Sequence, residues 1–100
     1  MVPSIHAAET LTNLIQPEKL AAHGFLRPQS ISLAEGTDHS GEAAYYVFLV
    51  YPDSTPDDQL AWSKVKPMVQ WVRNAIRAAT AEERWPYVRV VREADVPSLP

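Results

Sequence analysis

The chain has 100 residues and no cysteine; 46% of it is apolar, 21% is charged, and its formal net charge is −3. That length supports one domain, and that balance excludes a disordered chain. The missing thiols exclude a disulfide framework, thiolate metal ligation and cysteine catalysis, and fit a reducing, cytoplasmic setting.

Charge is unevenly spread. Residues 1–58 hold eight acids against Lys19 and Arg27, whereas residues 59–100 hold seven bases against four acids, giving halves of −6 and +3. Two readings follow: a basic surface in the C-terminal half, or two halves that complement each other within the fold.

The first stretch lacks the basic start and apolar run of a signal peptide, and no apolar run reaches the length of a membrane span, so no membrane is expected. Leu11, Leu14 and Ile15 have helical spacing but sit among poor helix formers, predicting two turns at most. Pro17 at a first helical position, Glu18 at the positive end and Gly24 as a left-handed stop predict a better helix over 17–23. Phe25 and Leu26 are expected to plug back into the core.

Period-two alternation from Gln29 to Glu35 predicts a strand with Ile31 and Leu33 on its buried face. Gly36 to Glu42 is a run of turn formers, the loop of a hairpin. Ala43 to Tyr51 is apolar at every position, which predicts a strand covered on both faces and central in its sheet. Pro52 and Asp53 end it.

Thr55 to Thr80 is expected to be one long helix. Thr55 is placed to cap it, Pro56 falls at the first helical position, and Asp57 and Asp58 suit the positive end of the dipole. Ala61, Val65, Met68, Val69, Val72, Ala75, Ile76 and Ala79 share one arc, with Trp62 and Trp71 on its shoulders. Pro67 falls on the polar side, so the helix should curve and not break. Trp85 to Glu93 predicts a third strand, with Val88 and Val90 on one face and Tyr87 and Val91 on the other. The last residues, with two prolines, read as a mobile tail.

The expected fold is α+β, a single domain over 1–100 in the order α-β-β-α-β: short helices within 8–24, a hairpin over 29–51, a long helix over 56–80, a strand over 86–93 and a tail over 96–100. It is a two-layer arrangement, a sheet with the helix packed on one face. Strand orders 1-2-3 and 2-1-3 both fit; the all-apolar second strand favours 1-2-3, with a parallel pair and a right-handed crossover.

No nucleophile, phosphate-loop or dinucleotide signature occurs. Three functional readings compete. The first is a non-enzymatic interaction module, binding another protein or a second copy of itself through Tyr46, Trp62, Trp71, Trp85 and Tyr87, because large amphipathic rings carry most energy at protein contacts. The second is a nucleic-acid accessory protein using Arg73, Arg77, Arg84, Arg89 and Arg92 with interleaved rings, although the pI near 5.5 lies below the range usual for such domains. The third is a small enzyme or metal site on Asp38, His39 and Glu42, where an acid, an imidazole and flexible glycines stand together. No cofactor is expected.

Overall fold

A computed structural model describes residues 13–80 and 84–96. Within them the expected α+β order holds: α1 (Pro17–Ala22), β1 (Ser30–Thr37), β2 (Ala43–Tyr51), α2 (Trp62–Thr80) and β3 (Trp85–Arg92). The strands form one mixed sheet in the order β1-β2-β3. β2 runs antiparallel to β1 and parallel to β3, so the all-apolar strand is indeed central. Most of the first helical piece and the tail over 97–100 lie outside the described residues.

Pro17 opens α1 and Gly24 follows it at φ 83°, as the local signals require. Phe25 packs against the core, but Leu26 does not: it is 41% exposed, and its carbonyl instead accepts the Tyr51 hydroxyl at 2.6 Å. β1 continues two residues further than its alternation predicts, through Gly36. A Cβ there would lie 3.2 Å from the Tyr46 ring, so only glycine lets that ring cross the strand pair without displacement.

α2 packs on the sheet through Val65, Met68, Val69, Val72 and Ile76, which close a core with Tyr45, Val47, Leu49, Tyr51 and Val88. Ile15 and Leu20 join from the N-terminal side. Pro67 lies inside α2 on its exposed side, and the helix runs through it. The Ser63 carbonyl that loses its donor is on an exposed residue, where water replaces the bond.

The start of α2 is not where its capping signals put it. Thr55 donates both its amide and its hydroxyl to the Pro52 carbonyl, closing a turn, and Asp57–Leu60 form a single 3-10 turn. Ala61 is then extended, at ψ 141°, and its carbonyl accepts the first α-helical bonds from Lys64 and Val65. The cause is tertiary: Arg92 at the end of β3 donates to the Thr55 carbonyl and pairs with the Asp57 carboxylate. The expected cap residues are thereby held against the sheet.

Alternation along β2 sends Tyr45, Val47, Leu49 and Tyr51 toward α2, and Ala44, Tyr46, Phe48 and Val50 to the opposite face. Phe48 and Val50 are only 7% and 4% exposed. Both faces of the central strand are therefore closed within one chain, as its composition requires.

Candidate interaction edge

The five aromatic candidates have different fates. Trp71 is half-buried, with its ring 4.5 Å from His23 and 6.2 Å from Phe25, and so serves to hold α1 against α2. Tyr46 stacks on Tyr87 at 5.6 Å and donates its hydroxyl to the Thr37 carbonyl. Trp85, 42% exposed, lies under two guanidiniums, Arg73 at 5.7 Å and Arg77 at 5.1 Å. Trp62 stands apart at 60% exposed, at the first turn of α2.

The five arginines do not form one basic face. Arg84 pairs with Glu35 at 3.4 Å and donates to the carbonyls of Gly36 and Ala44, tying the end of β1 to the starts of β2 and β3. Arg92 is engaged with Thr55 and Asp57. Arg73 and Arg77 gather on Trp85, and Arg89 is exposed in the middle of β3.

In the hairpin loop, Asp38 is a structural acceptor. Its Oδ1 accepts from the Ser40 amide at 2.9 Å, the Ser40 hydroxyl at 2.7 Å and the Glu42 amide at 3.0 Å, while Oδ2 accepts the Tyr87 hydroxyl at 3.0 Å. The Ser40 hydroxyl, with the two amides and Tyr87, holds its carboxyl down at about 2. The same Asp38 contact raises the Tyr87 phenol, with burial adding to it. Gly41, at φ 85°, completes the turn. His39 and Glu42 project outward from this loop, and among the described residues no group of three or more His, Asp or Glu is placed to hold a metal ion.

What remains is the outer edge of the sheet at β3. A groove of about 320 Å³ is lined by Leu60, Trp62, Val65 and Val69 on the helical side and by Val88, Arg89, Val90 and Val91 on the strand side. Successive strand residues point to opposite faces. A groove that touches four in a row therefore runs along the strand's edge, where its backbone groups are reached. Among the described residues, β3 has β2 as its one neighbour in the sheet. At the other edge, a second cavity of about 280 Å³ opens between Ile15, Gln16 and Pro17 on one side and Gln29, Ser30, Ile31 and Leu33 on the other.

Comparison with protein-family models, with curated proteins and with solved structures finds no match. No helix among the described residues is long and apolar enough to cross a membrane.

Of the groove, sequence reading picks out Trp62 and Arg89 but misses Leu60, Val65, Val69, Val88, Val90 and Val91. They look like ordinary core positions, and no local signal marks which strands lie at the edges of a sheet.

Proposed function

We propose that this chain is a non-enzymatic protein-interaction module that accepts an added β-strand along the outer edge of β3. One observation carries the reading: the groove follows four consecutive β3 residues and is backed by Leu60 and the exposed Trp62. Strand addition uses such a pairing of parts, backbone groups supplying affinity and an apolar pocket selecting alternate side chains. Unpaired edges of this kind are normally blunted or covered, because they invite association. Cytoplasmic residence belongs to the same proposal and rests on the cysteine-free composition.

Amide hydrogen exchange on the dilute chain tests it. Alternate amides within 85–92 should exchange freely, and those facing β2 slowly; uniformly slow exchange along β3 would mean that the edge is already closed. Trp62→Glu, at a residue 60% exposed, should abolish association while leaving thermal unfolding nearly unchanged.

The gathering of Arg73 and Arg77 on Trp85 favours a second reading, a site for single-stranded nucleic acid. It requires retention on single-stranded DNA that weakens steeply with salt and is lost in Arg73→Glu with Arg77→Glu.

A further inference from the structure

We propose that a single-stranded nucleic acid lies lengthwise along one flank of α2, its phosphates running between Lys66 and Arg73 and a base stacking at the corner formed by Arg73 and Trp85. This rests on the single-strand reading of Arg73, Arg77 and Trp85, and gives that strand a path.

α2 carries Lys64, Lys66, Arg73 and Arg77 over Trp62–Thr80 and not one acid. At about 100° per residue, Lys66, Gln70, Arg73 and Arg77 fall within an arc of about 60°, on the flank that also carries Trp62. Lys66 and Gln70 are exposed, and both arginines are partly so. Lys66 and Arg73 stand roughly 10 Å apart along the axis, and Arg73 and Arg77 roughly 6 Å, a rise comparable to that between successive phosphates of an extended strand.

The cations on this flank are not spent on carboxylates. Lys64 pairs with Asp58, but among the described residues neither Lys66 nor Arg73 is in an ion pair. Arg73 Nε is buried and makes no hydrogen bond, so the Trp85 ring at 5.7 Å is what holds that guanidinium. Its terminal nitrogens are left as donors.

Two paths lead away from Trp85, and charge separates them. Along β3 the next cation is Arg89, but Tyr87 between them carries the Asp38 carboxylate on its hydroxyl at 3.0 Å. A phosphate chain on that path meets a fixed negative charge. Along α2 the next cation on the stripe is Lys66, with Gln70 between and no carboxylate on the helix.

The pairing of cations with a half-exposed ring also chooses the occupant. Phosphates meet the cations, and an unpaired base stacks on an indole or a guanidinium plane. A duplex offers the same charge with its bases already stacked, and an anionic lipid surface offers no base.

The test is the salt dependence of binding to a short labelled oligothymidylate. The logarithm of affinity against the logarithm of salt should fall with a slope of about −1.4 to −2, for two or three neutralised phosphates. Lys66→Gln should make that slope shallower by about 0.7, and Arg89→Gln should leave it unchanged. Both residues are exposed, so thermal unfolding should not move. A duplex of equal length should compete poorly.

A slope unmoved by Lys66→Gln would overturn the path along α2; if binding is still lost in Arg73→Glu with Arg77→Glu, the single-strand site itself stands. Equal competition by the duplex or by anionic lipid vesicles would overturn the single strand as occupant. No binding at low salt would overturn the path and the site together.

Discussion

Tyr51→Phe isolates one hydroxyl at the base of the core. The ring is buried, and its oxygen donates to the Leu26 carbonyl at 2.6 Å and lies 3.2 Å from the Met68 sulfur. Removing the oxygen leaves that carbonyl without its donor, at a cost of about 1 kcal/mol at neutral pH. Burial also pushes the Tyr51 phenol up to about 12 from an ordinary 10. The folded chain therefore favours the protonated phenol. Its contribution is fully present below pH 10 and is lost as pH rises toward 12. Two units would amount to about 2.7 kcal/mol without screening, and solvent near the site reduces this to about 1–2 kcal/mol. Urea unfolding of both proteins from pH 7 upward should show the variant weaker by about 1 kcal/mol at pH 7 and the gap closing above pH 10. Tyr87 is also raised, but it is present in both proteins and largely cancels. Equal stability at pH 7, or parallel curves above pH 10, would refute the reasoning.

Ile76, fully buried between α2 and the sheet, should cost about 2–4 kcal/mol as Ile76→Ala in urea unfolding, since the cavity is walled by two packed elements. Pro67→Ala should stabilise by about 1–2 kcal/mol: it restores a helical amide at an exposed position and gives back part of the gain through a freer unfolded chain. Asp38 is held down at about 2, so its support of the hairpin loop is present above pH 4 and is lost as pH falls toward 2. The Ser40 and Glu42 amide resonances should titrate with a midpoint near 2, and a midpoint near 4 would show that the loop bonds do not hold in solution.

The groove at β3 depends on how α2 begins. Had the helix started at Pro56, as its local signals direct, the chain over 57–61 would have continued the helix axis. Arg92 instead draws Thr55 and Asp57 toward the end of β3, and the extended Ala61 lets the α2 axis begin afresh. The segment carrying Leu60 and Trp62 is thereby set beside Val88 and Val90 as one wall of the groove. Arg92, a candidate for nucleic acid by composition, is a positioning residue for that wall.

Much of this protein is written locally. The bounds of β2, the left-handed stop at Gly24, the continuation of α2 through Pro67 and the Val65, Met68, Val69, Val72 and Ile76 stripe all follow from periods, φ preferences and turn chemistry between near neighbours. The apolar character of every β2 position also made its central place legible, since only a strand covered on both faces can bury such a run. What lay beyond sequence was decided by pairs distant in the chain. Arg92 on Asp57 moved the helix start, Tyr87 on Asp38 turned an acid of the loop into a structural acceptor, and His23 with Phe25 took up Trp71. The groove at β3 is of the same kind: strand order and packing bring its walls together from distant parts of the chain, and no residue along it carries that information by itself.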